Sequence, residues 1–114
     1  MTNKFRVEND VAFIYLHHRG GWLKTAVDAV DLPSVQRFHG RWGILATTSG
    51  QYVCGSVTDP FLPSGRSTVL LHRWIVSAEP ESIIRHTDGD ALNNRRSNLF
   101  AARRDGQLVP AQEE

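Results

Sequence analysis

A chain of 114 residues can bury one hydrophobic core but not two, so a single domain spanning 1–114 is expected. With 40% hydrophobic and 22% charged residues its composition is that of an ordinary globular protein, and no apolar run approaches the roughly 18 residues of a membrane span. The formal charge of +1 says little until it is resolved along the chain, while a lone cysteine, Cys54, excludes an internal disulfide and a Cys-Cys zinc finger.

The first residues, Met1 to Glu8, carry charges with no apolar stretch and cleavage site behind them, so a cytoplasmic protein without a secretory leader is expected. Val11 to Leu16 is β-branched and aromatic. Gly20-Gly21 then punctuates the chain, and Leu23, Thr25 and Val27 alternate with Lys24, Ala26 and Asp28, which predicts a hairpin. Asp31-Leu32-Pro33 combines an N-cap residue with proline in the first turn. Leu32, Val35 and Phe38 recur every third residue, so a short helix follows. Arg41 to Ala46 and Gln51 to Thr58 flank Thr47-Thr48-Ser49-Gly50, a second predicted hairpin and a candidate β-ribbon for a nucleic-acid groove. Cys54, within it, reads as a small buried residue.

Asp59 to Gly65, bounded by proline and glycine, is a loop. Ser67 to Leu71 reads as a strand running into a turn or two of helix, His72 to Ser77, that ends before Pro80. Phe100 to Asp105 contains good helix formers, while Gly106 and Pro110 limit any terminal helix to a stub. The division expected is a β-rich portion over 1–65, which could bind DNA, a second portion over 66–109, and an acidic tail over 110–114. The three tryptophans, with Phe13, Tyr15 and Tyr52, read as core.

Charge is uneven along the chain. Residues 1–65 hold six Lys/Arg against five Asp/Glu, residues 66–104 hold seven arginines against four acids, and residues 105–114 hold three acids and no base. Arginine presents a planar fork of donors that matches phosphate oxygens, so the arginine-rich segment suits a nucleic-acid partner.

The most informative stretch runs from Ile83 to Leu99. An apolar strand ends in Arg85-His86, an acidic glycine turn Asp88-Gly89-Asp90 follows, then Asn93-Asn94-Arg95 and Asn98-Leu99. This spacing resembles the core of the HNH endonucleases, the His-Me finger or ββα-metal nucleases, in the branch common among phage and intron-encoded genes. Leu71-His72-Arg73 is similar to a segment these proteins place ahead of the motif, and Val27 to Pro33 looks like their strand-to-helix entry. The resemblance implies an α+β fold, with N-terminal antiparallel hairpins and a short helix followed by a C-terminal ββα finger. It also implies a cytoplasmic setting in a bacterial or phage-infected cell.

By the same resemblance His86 is the general base, Asn98 braces the finger, and His72 gives structural support beneath the site. Imidazole titrates near neutrality, which suits proton abstraction from water. The family binds one divalent ion, Mg²⁺ or Mn²⁺, through the terminal helix, where Gln107 or the neighbouring Asp105 would be the ligand. The aspartate that often precedes the catalytic histidine is here Arg85, which cannot ligate a cation. Asp88-Gly89-Asp90 reads as a turn rather than a metal pair. Arg73, Arg85, Arg95, Arg96, Arg103 and Arg104 would hold DNA phosphates. His17, His18 and His39 form no zinc spacing.

The expected activity is therefore metal-dependent nicking or cutting of DNA, with no membrane partner. Two alternatives come from other classes: a non-catalytic DNA-binding or regulatory protein, and a protein-binding phage effector on the same frame. A homodimer or a protein partner could supply specificity in any of these.

Overall fold

The computed structural model describes residues 1–48 and 50–103. Among them eight strands form three small antiparallel sheets, and the two α-helices are of five and six residues. No helix among the described residues is long and apolar enough to cross a membrane.

The first sheet is β1 (Phe5–Glu8), β2 (Val11–His18) and β3 (Gly21–Asp28), in that order. The β2–β3 turn is Arg19-Gly20, both at positive φ (51° and 76°), the two-residue geometry whose twist matches that of paired strands. Alternation sends Ala12, Ile14, Leu16, Thr25 and Val27 inward, all of them fully buried. After a 3-10 turn at Ala29–Asp31, α1 (Leu32–Gln36) buries Leu32 and Val35 against the same core.

The second sheet is β4 (Gly43–Thr47), β5 (Gly50–Thr58) and β6 (Arg66–Leu70). Its strand β6 leads directly into α2 (Leu71–Val76), which ends at Ser77 in the left-handed conformation. Aromatic rings hold sheet and helices together. Phe38 stacks on Trp42 at 4.1 Å between centroids, Trp74 meets both edge-on, and the Trp74 indole N–H donates to the Ser34 carbonyl at 2.9 Å. Such ring pairs contribute about 0.5–1.5 kcal/mol beyond the area they bury. Phe38 lies so close over β5 that a Cβ on Gly55 would sit 2.3 Å from its ring, so only glycine fits there.

The third sheet pairs β7 (Ser82–His86) with β8 (Leu99–Arg103), in register from Ser82 opposite Arg103 to His86 opposite Leu99. This corrects the expected fold class. The protein is mostly antiparallel β rather than an α+β chain closing in a ββα finger, and the residues expected to begin a terminal helix form β8. The helical preference of Ala101 and Ala102 over strand-forming residues is worth only about half a kcal/mol each. As a strand, the segment gains a five-residue ladder and buries Ala102 in the interior.

Candidate functional site

β7 delivers His86 to the rim of a cleft of about 740 Å³, lined in part by Gln51, Tyr52, Arg85, Asp90 and Phe100. The chain then crosses to β8 through residues 87–98, and side chains of that loop fold it back onto itself. The Asp88 carboxylate accepts from the Asp90 amide at 2.8 Å, from Asn98 Nδ2 at 2.8 Å and from Asn93 Nδ2 at 3.0 Å. Those bonds, the one from Asp90 foremost, hold its carboxyl below the usual carboxylate range. Gly89, at φ 75°, supplies the left-handed residue the turn requires.

Asn98 is buried and closes the loop from the other side. Its Nδ2 also donates to the Asn93 carbonyl at 2.9 Å, and its Oδ1 accepts the Asp88 amide at 3.1 Å. A position compatible with an ordinary helix cap therefore spans the whole loop.

The imidazole of His86 is held by a residue that sequence reasoning did not single out. Its Nε2 lies 2.8 Å from Asn94 Oδ1, and Asn94 is completely buried. Asn94 Nδ2 donates to the Ala91 carbonyl at 3.1 Å and to Thr25 Oγ1 at 2.8 Å, while Thr25 donates onward to the Leu92 carbonyl. A carbonyl can only accept, so the orientation of the Asn94 amide follows, and Oδ1 must be the acceptor for His86. Nε2 thus carries the hydrogen, and in the neutral ring Nδ1 keeps its lone pair. Among the described residues no buried side-chain nitrogen or oxygen lacks a partner. One signal pointed to Thr25: it is the polar member of an otherwise apolar inward face, with Leu23 and Val27.

His72, on α2, is buried with its ring 5.0 Å from that of His86 and 5.9 Å from Tyr52. Burial, followed by the neighbouring His86 and Arg73, lowers its pKa to about 4, so the His72 ring is neutral near pH 7.

The loop is also fastened to the first sheet. Asn93 pairs with Ala26 through a parallel bridge, with Ala26 N to Leu92 O at 2.9 Å and Asn94 N to Ala26 O at 2.8 Å. Arg95 Nε meets Asp28 at 2.8 Å and its Nη2 meets Asp10 at 3.0 Å; Arg96 Nε meets the buried Asp31 carboxylate at 2.9 Å and its Nη2 the Ile75 carbonyl at 3.0 Å. Arg73 donates to the carbonyls of Ser82 and Glu79. Three arginines expected at phosphates therefore form contacts within the protein, whereas Arg85 stands exposed at the cleft. Arg103 ends β8. Arg104 and the expected metal ligands Asp105 and Gln107 lie outside the described residues.

Among the described residues no three His, Cys, Asp or Glu side chains converge on a point that would hold a metal ion. Among the described residues the cleft offers one carboxylate, Asp90, whose Oδ1 accepts from the Leu92 amide at 2.9 Å. That donor set alone does not make a Mg²⁺ site, which calls for several oxygens in octahedral array. Among the described residues the cleft thus brings together a half-buried imidazole, tethered through Nε2 to Asn94, and an exposed guanidinium, Arg85. No family model, curated protein or solved structure matches the chain.

Proposed function

We propose that the chain hydrolyses phosphodiester bonds in DNA, with His86 as general base. The observation that carries this reading is the Asn94 bond to Nε2, which leaves Nδ1 as the basic nitrogen of a residue at the cleft. In the proposed reaction Nδ1 takes a proton from water, the water oxygen attacks phosphorus, and the bond to the leaving 3′ oxygen breaks as that oxygen gains a proton from solvent. General-base assistance of this kind contributes roughly 10²–10⁴-fold. Arg85, which lines the same cleft, would meet a phosphate there, and Asn98 keeps the loop that follows His86 closed. A divalent ion, Mg²⁺ or Mn²⁺, belongs to this reading, with Asp105 and Gln107 as the ligands expected from the sequence resemblance.

The test is supercoiled plasmid incubated with the full chain and Mg²⁺ or Mn²⁺, beside His86→Ala. Nicking that EDTA stops and that falls at least 100-fold in the variant supports the proposal; equal cutting by the variant overturns it.

A second reading is favoured by one observation, the pairing of Leu99–Arg103 as a strand where a metal-bearing helix was expected. On that reading the protein binds DNA without cutting it. Plasmid left intact by the wild-type chain, together with a gel shift that weakens steeply with salt, would select it.

A further inference from the structure

A second cleft, away from His86, carries cationic groups that the proposed reaction does not use. It has a volume of about 480 Å³ and is lined by His39, Arg41, Ser56, Thr58 and Arg66, with no acidic side chain lining it among the described residues. Arg66 Nε donates to Ser56 Oγ at 2.8 Å, which fixes the guanidinium over β5. Among the described residues neither Arg41 nor Arg66 forms an ion pair with a carboxylate. The nearest acid along the chain, Asp59, accepts the Phe61 amide through Oδ1. Two guanidinium groups, an imidazole and two hydroxyls, with no counter-anion among the described residues, make a donor set for phosphate oxygens.

The position of this cleft is as informative as its chemistry. Strand β5 lines both clefts, contributing Gln51 and Tyr52 at one end and Ser56 to Thr58 at the other. Alternation places Tyr52, Cys54, Ser56 and Thr58 on one face of the strand.

We infer that Arg41 and Arg66 form a backbone-phosphate anchor, holding a nucleic acid at the opposite end of β5 from the bond presented to His86. This rests on the nucleic-acid reading above and names a contact surface for it. The anchor contacts phosphate and not base edges, so it sets position without reading sequence. It also accounts for where duplex affinity would come from when Arg73, Arg95 and Arg96 are committed to protein acceptors.

The test is fluorescence anisotropy of a labelled 20-base-pair duplex across a salt series, in EDTA so that no cleavage occurs. Both arginines are exposed, so Arg41→Gln with Arg66→Gln should fold as the wild type does, checked by its melting curve. The expected result is at least a tenfold loss of affinity and a log–log salt slope shallower by about 2, since each lost phosphate contact removes roughly 0.9 from the slope. The pair Arg41→Lys with Arg66→Lys keeps the charge and should keep the wild-type slope. An unchanged slope in the Gln pair overturns the anchor. Titration with inorganic phosphate, followed through the Arg66 side-chain N–H resonance, separates the two sources of the anion. A response there alongside an unchanged DNA slope assigns the cleft to a free anion and likewise overturns the anchor. The binding assay needs no turnover, so failure of the His86→Ala control would overturn the nuclease reading and leave this result to stand or fall by itself.

Discussion

His86 Nε2 and Asn94 Oδ1 lie 2.8 Å apart, and this one bond sets both the orientation and the tautomer of the imidazole at the cleft. Replacing Asn94 with alanine would leave the His86 N–H, the Thr25 hydroxyl and the Ala91 carbonyl short of a partner and open a small void. We expect a stability loss of about 2–4 kcal/mol in urea melts. On the proposed activity we expect kcat to fall about 10–100-fold with KM little changed, because the base is mispositioned while the phosphate contacts stay. A variant with normal kcat would show that Asn94 serves folding alone.

His72 should make stability depend on pH. In the unfolded chain its imidazole takes up a proton near pH 6.5, whereas in the folded protein it resists protonation until about pH 4. Its contribution is therefore whole above pH 6.5 and declines as pH falls towards 4, by about 1.4 kcal/mol per unit at most. His72→Phe keeps a ring against His86 and removes the titration. Denaturant melts from pH 4.5 to 7.5 should show this decline flattened in the variant; parallel curves would rule the effect out.

The contact between Arg96 and Asp31 joins an exposed cation to a buried carboxylate. Arg96→Ala strands that carboxylate, and a loss of about 1–3 kcal/mol is expected. Adding Asp31→Asn should recover part of it, because the neutral amide costs less to bury unpaired. A double variant as unstable as the sum of the two single variants would argue against direct coupling.

Gly55→Ala places a methyl group against the Phe38 ring, where an ideal Cβ would lie 2.3 Å away. The ring is stacked on Trp42 and cannot retreat freely. A loss of about 1–3 kcal/mol is expected, read as a lower melting temperature. Adding Phe38→Leu should relieve part of the clash.

Local patterns made most of the scaffold legible. Period-two alternation marked β2 and β3, the Asp31-Leu32-Pro33 start marked α1, and the turn at residues 47–50 marked the β4–β5 hairpin. β1 was missed because Phe5, Arg6, Val7 and Glu8 are all exposed, so its pairing leaves no inward-facing pattern. Residues 99–103 misled because alanine's helical preference is a local term, whereas the ladder to β7 is set from across the fold.

The site divides along the same line. His86 and Asn98 stand out from spacing within one short segment. The Asn94–Thr25 bond joins residues 69 apart, and nothing local in either residue announces the other. Arg95 and Arg96 suit phosphate by chemistry alone; the arrival of Asp10, Asp28, Asp31 and the Ile75 carbonyl beside them gives their donors protein acceptors.

The bridge between Ala26 and Asn93 has a consequence for when the site comes into being. Synthesis from the N-terminus completes the first sheet while the loop that will grip the imidazole is still to be made. The acceptor for His86 becomes fully bonded only after residues from both ends of the fold have met, a closure that is slow because the intervening chain must be ordered first. A growing polypeptide would thus hold its histidine unaligned until the last strands docked, and a peptide cut out around residues 82–103 would keep the motif's letters without the support that orients them.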